Sequence, residues 1–197
     1  MNDYQKFIAV SRYARWLPNE NRRETWGETV NRYVDFMSLQ VKGHLPIPQL
    51  KEAITKLEVM PSMRALMTAG LALDRDNTAG YNCSYLPVDD PKSFDEAMYI
   101  LLCGTGVGFS VERQYVGQLP EIPESFENVD TVIKVLDSKE GWARSLRKLI
   151  GHLYMGEVPT WNVDDIRPAG ARLKIFGGRA SGPAPLVDLF NFTVNLF

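Results

Sequence analysis

Apolar side chains recur at two different spacings in the stretch 81–113, which reads Y-N-C-S-Y-L-P-V-D-D-P-K-S-F-D-E-A-M-Y-I-L-L-C-G-T-G-V-G-F-S-V-E-R. A short apolar run carrying Cys83 comes first. Apolar residues then recur every three or four positions in 94–102, and they alternate with small residues in 107–111. The pattern predicts strand, helix and strand, the unit from which a parallel sheet is built.

The predicted helix has recognisable start and stop signals. Ser93 and Glu96 have the spacing of a capping box, which satisfies free amides at a helix start. Asp89 and Asp90 come just before, where the positive end of the helix dipole favours negative charge. Gly104 follows the last apolar residue and favours a stop. We therefore expect the helix to begin at the capping box and to end before the glycines.

The first 60 residues show helical spacing almost throughout. Helices are predicted over 3–16 and about 22–41, with a break at Pro18 between them, and over a further segment that follows Pro48. Two arginines at the start of the second helix are expected to lie on a solvated face: Arg22 and Arg23.

Two stretches lack this periodicity and are predicted to be loops. One is 58–80, which we read as a loop and turn region, and the other is 167–183, which is rich in Gly and Pro and carries Lys174. A last helix is predicted after Pro183, because proline is favoured at helix starts.

Between these regions, residues 114–166 combine a linker, an apolar segment and a helix. Prolines and acidic residues mark the linker, an apolar run follows in 129–136, and a helix is predicted from about Asp137–Ser138. One face of that helix is basic, and it is open whether the face is merely solvated or contacts phosphates: Arg144, Arg147 and Lys148.

Composition limits the function classes. The 197 residues carry a net charge of −2, so no basic field argues for nucleic-acid binding. Two cysteines give neither a disulfide framework nor metal-site spacing, and we expect cytoplasmic chemistry and no metal site. The sequence shows no membrane-length apolar run and no signal peptide, so no membrane association is expected.

Two features of the central stretch have alternative interpretations. Cys83 in an apolar strand is either an inert small hydrophobe or a redox thiol. The G-T-G-V-G turn either cradles a phosphate or lets backbones approach closely, but it lacks the lysine of a P-loop and follows a helix rather than a strand. Neither feature decides the function by itself.

Four motifs in a fixed order are more specific. The chain has P-S-M-R-A-L-M-T-A-G at 61–70, N-C-S at 82–84, G-T-G-V-G-F-S at 104–110 and R-P-A-G-A-R-L-K-I-F-G-G-R-A-S-G-P-A-P-L at 167–186. Together they resemble the catalytic chain of ribonucleotide reductases, in particular the monomeric type of the adenosylcobalamin-dependent (class II) branch, which acts on ribonucleoside triphosphates.

The resemblance implies an α/β fold. Residues 1–60 would form an N-terminal helical region, and 61–197 the first part of the reductase ten-stranded α/β barrel, incomplete in this chain. Dimeric relatives lack most of the segment 114–166, which would be an insertion that replaces the partner subunit at an effector site.

The resemblance also implies the chemistry. The family reduces the 2′-carbon of a ribose with a thiyl radical and a pair of cysteines that end as a disulfide, and Cys83 matches the first of that pair. Ser62 and Asn82 match substrate-site positions. The glycine turn would pack along the ribose and base, since a missing Cβ lets a ring lie against the backbone: Gly104, Thr105 and Gly106. Cys103 matches no catalytic cysteine and is interpreted as packing.

A second site is implied for a deoxynucleoside triphosphate (dNTP) effector that selects the substrate. Asp90 and Ser93 match the ribose-binding positions, and Arg113 the phosphate-binding position, where a planar guanidinium suits bidentate contacts. No motif of an ATP-binding on/off module occurs at the start of the chain.

The other catalytic cysteines and most of the cobalamin surface of the family would come later than Phe197. We therefore expect the chain to be inactive alone and to need a C-terminal portion, a ribonucleotide, adenosylcobalamin and a thioredoxin-like reductant. Two alternatives stay open: a non-catalytic nucleotide-binding remnant, and the large subunit of a metal-radical (class I) reductase.

Overall fold

The computed structural model describes residues 1–41, 43–173 and 178–197. They divide into two compact units, Met1–Asn82 and Cys83–Leu173 with Gly178–Phe197. Lys174, predicted to lie in a loop, falls outside the described residues. Within the described ranges, every helix is too short or too polar to cross a membrane.

The first unit is built from helices and one short antiparallel hairpin, which confirms its predicted helical character. Its elements are α1 (Asp3–Ile8), a π-helical turn (Ala9–Tyr13), β1 (Trp16–Leu17), β2 (Arg22–Arg23), α2 (Trp26–Gln40), α3 (Ile47–Thr55), α4 (Met63–Thr68), α5 (Leu71–Arg75) and a 3₁₀ turn (Asn77–Gly80).

Two predictions for this unit are wrong. The stretch 58–80 is largely helical rather than a loop, because it contains α4, α5 and the 3₁₀ turn. The two arginines keep contact with solvent as expected, but they lie in β2 rather than at a helix start. Arg22 forms two 2.7 Å hydrogen bonds to the Glu28 carboxylate, and Arg23 Nη1 donates to the carbonyl of Ala14 at 2.9 Å. Helix α2 consequently starts later than predicted, after a capping box formed by Thr25 and Glu28.

A buried carboxylate between two arginines organises this unit. Arg32 donates to both oxygens of Glu24, at 2.8 and 2.9 Å, and to the carbonyls of Leu66 and Ala69. The Arg15 side chain donates to carbonyls of the same helix end, and its backbone N–H donates to Glu24. Burial by itself would raise the pKa of Glu24, but the hydrogen bonds from Arg32 and Arg15 outweigh it and lower that pKa. Distant parts of the chain thus satisfy the carbonyls at the end of α4.

The second unit contains two parallel strand pairs, each joined by a crossover helix, as predicted for its first part. Its elements are β3 (Cys83–Pro87), α6 (Lys92–Leu102), β4 (Gly106–Ser110), α7 (Arg113–Val116), β5 (Glu127–Lys134), α8 (Lys139–Leu153), β6 (Glu157–Asn162) and α9 (Ala184–Leu196). The predicted start of α8 is confirmed, since Ser138 caps it, and α9 starts after Pro183 as expected.

The apolar core of the second unit lies around α8. Leu149, Leu153 and Phe190 are fully buried there, with Ile133 from β5 beside them. Next to this core, an apolar groove of about 570 Å³ runs between α6, α8 and α9. Several large side chains along this groove are exposed: Phe94, Leu101, Leu102, Phe192 and Leu196.

Candidate functional site

The predicted thiol lies at the start of the β3–β4 pair. Cys83 pairs in register with Gly106, and Tyr85 pairs with Gly108. Side chains of directly paired residues in parallel strands point to the same face, so the two glycines place no side chain beside Cys83 and Tyr85. Cys83 is exposed and not in a disulfide. A molecule lying along the glycines would therefore reach the sulfur.

On the opposite face of the β3–β4 pair, a hydrogen bond and a buried side chain hold the two strands together. Ser84 Oγ donates to the carbonyl of Gly106 at 3.1 Å, and Leu86 is buried. This contact fixes the beginning of β4 relative to β3, so the spacing between the thiol and the glycine strand is set by the fold.

The glycine turn connects α6 to β4, and its backbone N–H groups donate to carbonyls in the last turn of α6. Gly104 has φ +85°, a left-handed conformation that favours glycine, and its N–H donates to the carbonyl of Leu101 at 2.8 Å. The N–H of Thr105 donates to Ile100 at 3.2 Å, and Thr105 is buried, with 1% of its surface exposed. Thr105 is therefore enclosed within the described residues, and its predicted contact with substrate stays a prediction.

The start of α6 differs from the prediction. The helix begins after Pro91, without a side-chain cap, so the predicted Ser93–Glu96 capping box is wrong. Ser93 is instead buried, and its hydroxyl donates to the carbonyl of Pro87 at 3.0 Å. Asp90 is exposed, and its Oδ1 accepts the backbone N–H of Lys92 at 2.8 Å. The observed N-cap, Pro91, lies two residues before Ser93, the N-cap that the capping-box pattern indicates.

The basic face of α8 is partly used for structure. Arg147 forms a bidentate pair with the buried Asp95 of α6, with its shortest contact at 2.7 Å, and the hydrogen bond to that carboxylate raises the pKa of Arg147. Arg144 and Lys148 are exposed, and so is Arg113 at the start of α7. Arg147 therefore neither lies on a merely solvated face nor is free for phosphates, because it forms a structural ion pair.

Two predicted substrate residues belong to the first unit. Ser62 is exposed at the start of α4, and its side chain makes no capping bond to that helix. Asn82 is exposed at the end of the unit. Their proximity to Cys83 stays a prediction.

Cys103 is fully buried, as its interpretation as a packing residue requires. The sequence gives no signal of one further contact: the Lys139 ammonium donates to the Cys103 sulfur at 3.1 Å. Across the described ranges, no three His, Cys, Asp or Glu side chains come together in a way that could hold a metal ion.

Known proteins are similar to the chain over nearly all of its length. Residues 116–196 match the family described as B12-dependent ribonucleotide reductase, insertion domain. A solved structure titled as a B-12 dependent (class II) ribonucleotide reductase aligns with a TM-score of 0.76 and 25% identity, over 94% of this chain and 36% of that chain. The resemblance to class II ribonucleotide reductases is confirmed. The structural match also confirms the predicted α/β fold class, whereas the domain boundaries stay predictions.

Curated relatives agree with the reductase match. The adenosylcobalamin-dependent ribonucleoside-triphosphate reductase of Lactobacillus helveticus (strain DPC 4571) is 27% identical over 256 residues, covering 93% of this chain and 34% of the relative. The enzyme of that name from Lactobacillus leichmannii is 28% identical over 246 residues, covering 90% and 33%. The chain therefore spans about a third of the length of these reductases.

Proposed function

We propose that this chain is the N-terminal part of a class II ribonucleotide reductase and that Cys83 is one of its two reducing cysteines. The complete enzyme would convert ribonucleoside triphosphates to deoxyribonucleotides. The chain would supply the first part of the barrel, the substrate turn and an effector site. The remaining catalytic residues would come from a C-terminal portion.

One observation carries the proposal: an exposed thiol lies directly beside a strand of glycines. Cys83 and Gly106 are register partners, so a ribose packed on the glycine backbone would lie next to the sulfur. An inert cysteine in a strand is usually buried. Exposure instead suits a thiol that must meet a substrate and then a dithiol reductant.

The reduction balances with two thiols. The ribose 2′-hydroxyl leaves as water, the 2′-carbon gains a hydrogen, and two cysteine thiols become one disulfide. Cys83 would supply one thiol and the C-terminal portion the other. A thioredoxin-like dithiol would then reduce the disulfide. Adenosylcobalamin bound to the complete enzyme would supply the initiating radical, and no residue of this chain is assigned to holding it.

The substrate and effector assignments belong to the same proposal. Substrate would contact Ser62, Asn82 and the backbone of the glycine turn. A dNTP effector would bind near Asp90 and Arg113, whose exposed side chains support this role. The hydroxyl of Ser93 is already engaged, so Ser93 would hold the local backbone rather than touch the effector. Two cysteines that form no disulfide agree with a cytoplasmic location.

The decisive experiment is reconstitution. The full chain is combined with a C-terminal reductase portion, ribonucleoside triphosphate, dithiol and adenosylcobalamin, and deoxynucleotide is measured. Cys83→Ser should abolish multiple turnover, because a hydroxyl cannot form the disulfide. Ser125→Ala, at an exposed position near β5, serves as a matched surface control and should keep full activity.

Each result has a clear meaning. Equal activity in Cys83→Ser would remove Cys83 from the mechanism. Absence of turnover with adenosylcobalamin, together with retained nucleotide binding, would favour a non-catalytic remnant. Turnover that instead needs a separate metal-radical subunit would favour the class I alternative.

A further inference from the structure

The lysine at the start of α8 lies in an unusual electrostatic position. Lys139 is the first helical residue after the Ser138 cap, where the helix dipole disfavours a cation. Its side chain, however, extends to the end of α6. There its ammonium lies 3.1 Å from the Cys103 sulfur and 4.7 Å from the centroid of the Tyr99 ring. A cation is favoured at that helix end, both by the dipole and by the aromatic face.

The group that Lys139 holds is adjacent to the candidate active site. Cys103 is the C-cap of α6, is fully buried, and immediately precedes the glycine turn. The backbone bonds of Gly104 and Thr105 close the helix end, and the next residue, Gly106, is the register partner of Cys83. Only two residues, Gly104 and Thr105, therefore separate the cysteine that Lys139 contacts from the glycine beside the reducing thiol.

The other end of Lys139 is firmly anchored. Ser138 Oγ accepts the N–H of Gly141 at 2.9 Å. A side chain at Gly141 would collide with the carbonyl of Leu136, so the turn from β5 into α8 is tightly packed. Residues 138–141 lie within the region that matches the insertion domain.

We propose that Lys139 is a positioning residue through which the insertion domain holds the glycine turn in place beside Cys83. The side chain spans from the rigid start of α8 to the C-cap of α6. Its loss should loosen the turn without unfolding the domain. The importance of the turn for substrate rests on the proposed function, but the mechanical link does not.

The test uses the full chain without nucleotide or cobalamin. Lys139→Met keeps the length of the side chain and removes its charge, and Lys148→Met, on the exposed face of the same helix, is the matched control. Hydrogen exchange should become about tenfold faster at the amides of Gly104 and Thr105 in Lys139→Met, because a hydrogen bond from a charged donor is lost. Alkylation of Cys83 by iodoacetamide should also change by about threefold or more, as local opening alters its surroundings. Lys148→Met should change neither.

Three outcomes would overturn the proposal. One is unchanged exchange at the turn in Lys139→Met. Another is an equal rise in exchange at the turn and along β5, which would make Lys139 a residue of general stability only. The third outcome comes from Cys103→Val, which removes the sulfur acceptor at similar side-chain volume. In the double variant with Lys139→Met, hydrogen exchange at the turn should be no faster than in Lys139→Met alone. Full additivity of the two effects would show that Lys139 does not act on the turn through Cys103.

These readouts are independent of catalysis. Failure of reconstitution with altered exchange in Lys139→Met would reject the proposed function and keep the link. Active reconstitution with unaltered exchange in Lys139→Met would support the proposed function and reject the role of Lys139.

Discussion

The second unit contains two strand–helix–strand motifs, β3–α6–β4 and β5–α8–β6, which have the same topology but differ in how deeply their helices are buried. In β5–α8–β6 the helix buries seven residues, most of them apolar, and its neighbours form the core. In β3–α6–β4 the helix buries only Ser93 and Asp95, while Leu101, Tyr85 and Phe109 are each more than half exposed. The β5–α8–β6 motif thus packs its apolar residues into a core, whereas the motif with the candidate thiol leaves apolar faces and strand edges exposed in the part of the chain that the structure describes.

The largest expected effect tests this difference in the core. Leu149→Ala should lower the free energy of unfolding by about 2–5 kcal/mol, since it leaves a cavity at a fully buried position. Leu101→Ala, with 56% of the residue exposed, should change it by about 0.5 kcal/mol or less. Urea denaturation measures both. Equal losses would show that α6 is as well packed as α8 in solution.

Glycines give a second test within a single helix. Gly141→Ala should destabilise by about 1–3 kcal/mol, because the added methyl would overlap the Leu136 carbonyl. Gly151 is exposed with free space around its Cα, so Gly151→Ala should stabilise by about 0.5–1 kcal/mol through helix propensity. Thermal unfolding of the two variants should shift in opposite directions, and a shared direction would contradict the tight turn into α8.

The ion pair between α6 and α8 has a smaller expected effect. Arg147→Met should cost about 1–2 kcal/mol, since it leaves the buried Asp95 carboxylate without its partner, an effect reduced by the half-exposure of Arg147. Arg144→Met, an exposed control on the same helix, should be nearly neutral. A loss of the same size in both variants would mean that charge on the helix surface matters, rather than the pairing itself.

The smallest expected effect concerns the effector. Asp90→Ala should weaken dNTP binding about fivefold, as expected for one hydrogen bond to a ribose. Asp130→Ala, which removes an exposed carboxylate from β5, controls for net charge. Calorimetric titration of dNTP into the full reconstituted protein measures both, and unchanged affinity in Asp90→Ala would refute the assignment.

Local pattern predicted the unit that contains the thiol. Helical spacing in 94–102 and alternation in 107–111 gave α6 and β4, because both elements keep one regular face. The start of α6 was misplaced, since Pro91 fixes the first turn and Ser93 turns inward to Pro87.

Non-local contacts explain what the pattern missed. Helices α4 and α5 are too short for a clear period, and carbonyls at the end of α4 are satisfied by Arg15 and Arg32 from distant segments. Strand β6 contains Pro159, which weakens any strand signal. At the site, the motifs indicated Cys83 and the glycines. Their register and the contact from Lys139 come from the tertiary structure alone.

The apolar groove between α6, α8 and α9 has a practical consequence for following the unfolding of this protein. A cleft of about 570 Å³ lined by phenylalanine and leucine should bind a hydrophobic dye such as ANS while the protein is still native. In dye-based melting curves, the dye fluorescence of the native protein would then already be high, and the rise in fluorescence on unfolding would be small. Intrinsic fluorescence from Trp142 and Trp161, which pack against the core, should report the loss of structure more directly.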